Sequence, residues 1–589
     1  MTLELRRRSV EAAALTPFAA LHPVLARAYA ARGLREAGEL RRTLDQLLPV
    51  STLEGVAAAV ALLLQHRERG GLILVIGDFD ADGATSSALL LRCLRSWGFA
   101  AVDFLVPNRF EFGYGLTPEI VAIAATRTPA LIITVDNGIS SIDGVAAARA
   151  RGIDVLVTDH HLAGDELPAA NVIVNPNLPH TRFGSRALAG VGVAFYVMAA
   201  LHRELCARAA DPAALPSPAT WLDLVALGTV ADIVPFDHNN RVLVAQGLTR
   251  IRAARCSAGV RALLELGKRP LAETIAADLG FVAGPRINAA GRLDDMSLGI
   301  RCLLSDSLTE ARALAARLDQ LNLERRSIES SMQAQAMAAV QQLLALEARS
   351  QPRAAPARHG VCLFDPGWHQ GVVGIVAGRI KDRLRRPVIA FADVGGEQLR
   401  GSARSVAGVH VRDVLGAIAT RRPTLLPKFG GHAMAAGLTI ERARLDEFAR
   451  EFDAEVARWQ AGGSLADRLE TDGELGADEI SLATAEALRE GGPWGQLFPE
   501  PCFDQVFRVR SARVVGEGHV KLWVELPRSN RCFDAMAFGL LQGRPELRAG
   551  ASGVALPAQV HLVYRLDINV WNGERRLQLL VDHLLDSPP

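Results

Sequence analysis

Cysteine is scarce and unorganised in this 589-residue chain: Cys93, Cys206, Cys256, Cys302, Cys362, Cys502 and Cys532 are odd in number, widely scattered, and contain no Cys-x-x-Cys pair. That argues against thiolate zinc sites and dithiol redox chemistry and points to a reducing cytoplasm. Long apolar runs are also missing. The stretch from Gly190 to Ala200 is far shorter than the ~20 residues a spanning helix needs and reads as a buried helix. Arg6, Arg7 and Arg8 before an alanine-rich stretch imitate a targeting peptide, but Glu11, Pro17 and Pro23 interrupt its apolar part, so the expected location is cytoplasmic. Finally, there is no excess of one charge: 65 Lys and Arg stand against 64 Asp and Glu, a formal +1. No basic field covers the whole surface, so any polyanion site must be a local patch or a metal centre. What is present, 49% hydrophobic and 22% charged residues with 52 Gly and 29 Pro, is a globular composition that excludes a disordered or collagenous chain. The length implies about four domains.

Short apolar runs alternate with helical patterns from residue 71 to 161. Leu72 to Ile76 precedes a helix from Ala84, Leu131 to Val135 precedes a helix from Gly144, and Asp154 to Thr158 follows. This order predicts a parallel sheet with crossover helices, whose ligands bind at the carboxyl ends of the strands. The acidic residues fall there. A long helical stretch without Pro or Gly runs from about Leu308 to Arg349 and reads as a connector. Gly360 to Ile440 is α/β again, followed by a helix from Arg444 to Trp459. Five strand-like runs then close the chain, Gln505 to Val515, Val520 to Glu525, Cys532 to Phe538, Gln559 to Val570 and Arg576 to Val581, which suits a small barrel such as an OB-fold.

Asp78-Phe79-Asp80-Ala81-Asp82-Gly83 follows the first strand directly, and continued alternation would put its three carboxylates on one side. Like charges so close need a solvated turn or a bound divalent cation, and hard oxygen ligands suit Mg²⁺ or Mn²⁺. An EF-hand is ruled out, since a strand precedes the motif and its twelfth position is Leu89. Asp136, with Asn137 and Gly138 behind it, ends another strand; taken alone it would be a helix N-cap. Asp159-His160-His161 ends a third, and Asp232 interrupts an apolar run where an acid needs a partner. Carboxylates and histidines from four places, with no thiolate, compose a two-metal site for phosphoester hydrolysis.

These segments, in order and spacing, resemble the four motifs of the DHH phosphoesterase superfamily. Further matches lie at Pro107 to Gly115, Gly284 to Arg292, Trp368 to Gly374 and Gly401 to Ser405, and Gly430 to Gly437 resembles the hallmark of the associated DHHA1 domain. Within the superfamily the chain is similar to the bacterial single-strand-specific 5′ to 3′ DNA exonucleases. The resemblance implies two α/β lobes, DHH and DHHA1, joined by a long helix and followed by an OB-like β-barrel. The corresponding division is an N-terminal helical segment over 1–70, a DHH catalytic domain over 71–305, a connecting helix over 306–350, a DHHA1 domain over 351–460 and an OB-like nucleic-acid-binding domain over 461–589.

Carried over by motif position, it makes Asp80 a ligand of one metal, Asp82, His160 and Asp232 ligands of the other, and Asp136 the bridge. The catalytic set is Asp78, Asp136 and His161, and the cofactors are two ions of Mg²⁺ or Mn²⁺. Some members have a histidine where this chain has Ile76, so the first ion has fewer protein ligands here. Arg109, Arg286, Asn288, Arg292, Ser402, Arg404, Gly431 and His432 become the residues that bind the strand and its 5′-phosphate. Arg508, Arg510 and Arg513, near Trp523, Phe533 and Trp571, are a basic and aromatic mixture suited to single strands. Implied partners are single-stranded DNA with a 5′-phosphate end, a single-strand-binding protein and a helicase; the implied role is recombination and repair, with the two lobes clamped around the strand. Two rivals stand beside this reading: a small-substrate phosphodiesterase of the same superfamily, which lacks the barrel, and a non-catalytic DNA-binding scaffold.

Overall fold

The apolar runs of the first lobe become the strands β1 (Leu72–Gly77), β2 (Ala101–Leu105), β3 (Pro129–Val135), β4 (Asp154–Thr158) and β5 (Val172–Val174) of a fully parallel sheet, ordered β2-β1-β3-β4-β5. The computed structural model describes residues 4–108, 112, 115–268, 270–349, 358–460, 468–527, 529–550, 553–571 and 573–585. Helices cover the sheet, so β1, β3 and β4 are buried almost throughout and are rich in Val, Ile and Leu. The strand order reverses between β1 and β3, the position where α/β sheets open a ligand crevice at their carboxyl ends. Register aligns those ends: Gly77 lies opposite Val135, and Val135 opposite Thr158. The next residues, Asp78, Asp136 and Asp159, therefore leave the sheet at one level.

Helix α1 (Ala81–Ser96) leaves β1 three residues earlier than the sequence pattern places it, because Asp80 caps it. Other helices of the lobe include α2 (Gly190–Arg208), α3 (Leu222–Ala231), α4 (Ala258–Leu266) and α5 (Gly284–Leu293). Helix α6 (Leu308–Arg349) is the long connector.

Packing divides the chain into two units. One takes in the described residues of Arg6–Gly291, Asp295–Leu318 and Glu470–Pro589, the other those of Met1–Leu5, Arg292–Asp294 and Asp319–Leu469. The barrel thus packs with the parallel-sheet lobe. Arg32, with a side chain only 1% exposed, makes a two-pronged pair with Asp472 at 2.9 and 3.0 Å. Tyr29 donates its hydroxyl to the Gly491 carbonyl at 2.7 Å, and the Arg241 guanidinium sits 4.2 Å from the Phe498 ring centre.

In the second unit, β6 (Val361–Phe364), β7 (Val388–Asp393), β8 (Gln398–Arg404), β9 (Lys428–Gly431) and β10 (Ala435–Glu441) form a mixed sheet ordered β9-β10-β8-β7-β6, with helix α7 (Val373–Leu384) after β6. The barrel strands β11 (Phe503–Val515), β12 (His519–Glu525), β13 (Cys532–Ala537), β14 (Gln559–Trp571) and β15 (Glu574–Leu585) close in the order β11-β12-β13-β15-β14. Only β13 and β15 run parallel, the arrangement of an OB-fold. Among the described residues no single helix is long and apolar enough to cross a membrane.

Candidate metal centre

The strand does not continue into the acidic run, so pleating is not what gathers its carboxylates. Asp78 turns back to accept its neighbour's N–H from Phe79 at 2.7 Å. Asp80, in extended conformation, accepts the N–H groups of Asp82 and Gly83 at 3.0 Å each and starts α1. Asp82 then lies in the first helical turn, where the helix dipole favours negative charge. Gly83 has to be glycine: a Cβ there would lie 2.6 Å from the Asp78 backbone. Asp82 is gripped from far along the chain, accepting Gly190 N–H at 2.6 Å and Val191 N–H at 3.0 Å from the start of α2.

Asp136 does not cap a helix, as a lone strand-end aspartate would; the next helix begins at Ile142. It adopts φ +60°, a left-handed conformation tolerated by Asp and stored at functional sites. Asn137 holds the turn by donating to the Ile76 and Val135 carbonyls. Ile76 itself is buried in the core. Gly190 lets the chain pass beside Asp136, since a Cβ would come within 2.7 Å of the Asp136 Cβ. Gly228 does the same beside Asp82 Oδ1, at 2.8 Å.

Asp159 faces its own loop. Its carboxylate accepts the N–H groups of Ile139, His160 and His161 at 2.9, 2.7 and 3.1 Å and pairs with His161 Nδ1 at 2.8 Å. These bonds, with His161 and His160 charge, outweigh burial and hold Asp159 below the ordinary carboxylate range. His160 Nε2 reaches Asp136 Oδ1 at 3.0 Å and Asp232 Oδ2 at 3.5 Å, and its ring also bonds the Leu188 backbone. Asp232 terminates α3.

Three overlapping groups result, Asp78 with Asp80 and Asp136, Asp82 with His160 and Asp232, and Asp136 with His160 and His161; within each, the ligand atoms lie within 4.8 Å of one another. Their electrostatics fit a cation. Burial, then the charges of Asp82, Asp80, Asp232 and Asp78, push Asp136 well above the usual carboxylate range. Burial, then Asp82, Asp80, Asp78 and Asp159, do the same to Asp232. Asp82 is pushed up to about 7 by burial and Asp80. His160 is pulled down to about 4 by burial and His161, so its ring is neutral near pH 7. Its buried Nε2 has no hydrogen-bond partner in the protein, although carboxylates surround it. A basic nitrogen among oxygen acceptors is satisfied by a divalent metal, with the other ring nitrogen fixed by a carbonyl. His161, with 45% of its side chain exposed, is raised above the ordinary histidine value: burial opposes charge, but Asp159, Asp78 and Asp80 prevail.

The other sequence-derived candidates separate. Asn288 accepts the Ala81 N–H at 2.8 Å, and a Cβ on Gly291 would lie 1.8 Å from the Phe79 carbonyl. The Gly284 to Arg292 motif therefore braces the acidic loop, a packing role that spacing alone did not reveal. Arg286 donates to the Val282 carbonyl at 2.7 Å and Arg292 to that of Gly371 at 3.1 Å. In the second unit, Arg404 donates to Ser402 Oγ at 3.0 Å, and Gly374, early in α7, lies so close that a Cβ would be 2.8 Å from both Ser402 Oγ and Arg404 Nη2. Gly431 takes φ +142°, and His432 donates its N–H to the Ala435 carbonyl in a tight turn. Ala435 lies opposite Arg404, so that turn is at the Arg404 end of the sheet. Arg109 and the side chain of Trp571 lie outside the described residues. Arg508, Arg510 and Arg513 are exposed on β11, the first two beside Glu525, and Trp523 is exposed on β12. Phe533 is instead buried in the barrel; the exposed aromatic missed by the sequence reading is Phe538, at 65%. Alternation along β13, with Phe533, Ala535 and Ala537 on one face, carried that signal.

Three family models match in chain order: the DHH family N-terminal domain over residues 72–229, the DHHA1 domain over 358–458 and the RecJ OB domain over 471–583. The fold is thus that of the DHH class with its DHHA1 companion. The single-stranded-DNA-specific exonuclease RecJ of Dickeya dadantii (strain 3937) is 51% identical over 584 residues, covering 99% of each chain. Two crystal structures of RecJ from Thermus thermophilus, in complex with Mn²⁺ and with Mg²⁺, superpose with TM-scores of 0.80 and 0.74 at 30% identity, covering all of this chain and 80% and 79% of theirs. The chain belongs to the RecJ family.

Proposed function

We propose that this chain is a single-stranded-DNA-specific exonuclease that hydrolyses phosphodiester bonds from the 5′ end, using two divalent ions, Mg²⁺ or Mn²⁺, in cytoplasmic DNA recombination and repair. The observation that carries the proposal is the overlap of the donor groups: Asp136 belongs to one with Asp78 and Asp80 and lies against His160, which belongs to another with Asp82 and Asp232. Asp80, with Asp78 beside it, would hold the first ion, Asp82, His160 and Asp232 the second, and Asp136 would serve both. When bound, such ions neutralise charge developing on phosphoryl oxygens and acidify a water molecule. The chain's own part is to keep the ligands fixed. Gly190 and Val191 lock Asp82, Asn288 locks the loop, and Asp159 orients His161 and favours its protonated form, which can donate towards the scissile phosphate. Ser402 and Arg404 supply a hydroxyl and a guanidinium fork for a terminal 5′-phosphate, with His432 and Gly431 at the same sheet end and Arg286 and Arg292 as further strand residues. The closed barrel favours a long strand over a dinucleotide substrate. A single-strand-binding protein and a helicase would present that strand.

The test uses 5′-labelled and 3′-labelled single and double strands with either ion. From 5′-labelled single strands the label should leave at once as mononucleotide, while 3′-labelled strands shorten stepwise; duplexes should resist. The reversed order, or equal duplex cleavage, refutes the proposal.

A further inference from the structure

Four arginines line one cavity away from the metal centre. Its volume is about 310 Å³, and its wall includes Arg92, Arg250, Arg255 and Arg261 with Trp221 and one acid, Asp306. That acid is already engaged by Arg92, whose guanidinium also donates to the Leu303 and Ser305 carbonyls and so builds the wall. Arg250 donates one bond, to the Arg255 carbonyl, and its buried Nε has no hydrogen-bond partner. Arg261 bonds Glu265 through Nε, and Arg255, also in the wall, is exposed. The carboxylates around the cavity are all engaged, since Glu265 is shared by Arg261 and Arg312 and buried Asp223 accepts from Ser257 and faces Arg250, so the guanidinium groups outnumber them. Forked guanidinium groups beside an indole are the recognition chemistry of a phosphate joined to a flat aromatic ring. A volume near 300 Å³ is at the small end of ligand pockets and suits a ligand of nucleotide size.

We propose that this cavity binds a nucleoside monophosphate, with the phosphate on Arg250, Arg255 and Arg261 and the base beside Trp221. Its position gives the site meaning. Arg92 lies ten residues along α1 from Asp82, and Trp221 precedes α3, which ends at Asp232. Each helix therefore runs about 15 Å from cavity to metal centre, at 1.5 Å per residue. That the ligand is the class of molecule an exonuclease releases rests on the proposed function; the cavity's affinity for a nucleotide does not.

The test is calorimetric titration of the full chain in chelator with thymidine 5′-monophosphate, thymidine and inorganic phosphate, in an Arg404→Ala background to silence the other phosphate site. The monophosphate should bind at one site, and thymidine and inorganic phosphate about tenfold or more weaker. Arg255→Ala combined with Arg261→Ala should cut that binding by a similar factor, and the exposed reversal Arg255→Glu should also weaken it, while hydrolysis of short strands by the otherwise unsubstituted chain carrying these changes stays as before. Unchanged binding in both variants, or equal binding of thymidine or of inorganic phosphate, overturns the proposal. Binding without any nuclease activity would leave the cavity assigned and remove the exonuclease reading; activity without binding would do the reverse.

Discussion

Asp136 and Asp504 are both carboxylates withdrawn from water, and they titrate in opposite directions. Asp504, in the barrel, has a fully buried side chain, yet Arg7 at 2.7 Å, His561 at 3.0 Å and the Thr471 hydroxyl all serve it. Burial pushes its pKa up, but those bonds outweigh burial and hold it below the ordinary range. Asp136 has burial and four further aspartates against it, and is held well above that range. A buried charge that the protein balances itself is a structural element, whereas one left among like charges is a place for a cation from outside. The difference sorts the two regions without reference to any relative.

The largest effect should come from Asp136→Asn, which keeps the shape and tolerates the left-handed backbone. Hydrolysis of single strands should fall by about a thousandfold or more, because the proposed bridge is lost. In chelator the same variant should unfold at a higher temperature than the parent, since a repelling charge is gone. Thermal unfolding with and without chelator, beside an initial-rate assay, reads both. Parent-like turnover, or a loss of stability in chelator, would break the contrast with Asp504.

Asp504→Ala should act the other way, destabilising the fold by about 2 kcal/mol in urea unfolding; the value is kept low because the Arg7 side chain is 41% exposed. The pH dependence has a definite sign. A depressed folded-state pKa gives stability that is present above the unfolded carboxylate value of ~4 and is lost as pH falls through the folded value. The variant should therefore lose less stability on acidification than the parent. An equally steep acid limb would mean that Asp504 is not the group responsible.

The metal centre should show the mirror image. Asp82 titrates at about 7 and Asp136 and Asp232 are also raised, so the folded, metal-free chain is penalised most above pH 7. The penalty fades as pH falls towards the unfolded value of ~4, where both states are protonated. Mn²⁺ at a hundredfold excess over its Kd adds about 2.7 kcal/mol. That gain should be full above pH 7 and shrink towards pH 5, as protons compete for the same oxygens. A gain independent of pH would place the ion elsewhere.

Much of this contrast was readable in the sequence, and the reason is local. Strand ends followed by Asp78, Asp136 and Asp159 announce themselves through apolar runs, and the barrel strands through alternation. What the sequence could not convey depends on distant partners. Nothing near Asp82 indicates that Gly190 and Val191 hold it, or that Asp80 begins a helix instead of extending a strand. Asp159 looked like a member of a ligand cluster, yet its oxygens are occupied by three backbone N–H groups and His161, so it orients the histidines. Composition groups Phe533 with the strand-binding aromatics because it carries no facing information, whereas its parity along β13 puts it inside.

The smallest predicted effect separates two meanings of one residue. The motif that contains Asn288 suggests a strand-binding side chain, whereas the structure has Asn288 accept the Ala81 N–H where the acidic loop enters α1. Removing one such bond costs about 1 kcal/mol, or about fivefold in an equilibrium constant. If Asn288 positions the loop, Asn288→Ala should raise the Mn²⁺ concentration for half-maximal activity by about that factor while KM for the strand at saturating Mn²⁺ stays unchanged. If it contacts the strand, KM should rise and the metal requirement should not move. Asn288→Asp offers a control: its carboxylate can still accept from Ala81 but adds charge to the loop, so the metal requirement should recover part of the way or better. A variant in which KM alone changes would return Asn288 to the strand and leave Gly291, packed on the Phe79 carbonyl, as the brace of the metal loop from this helix.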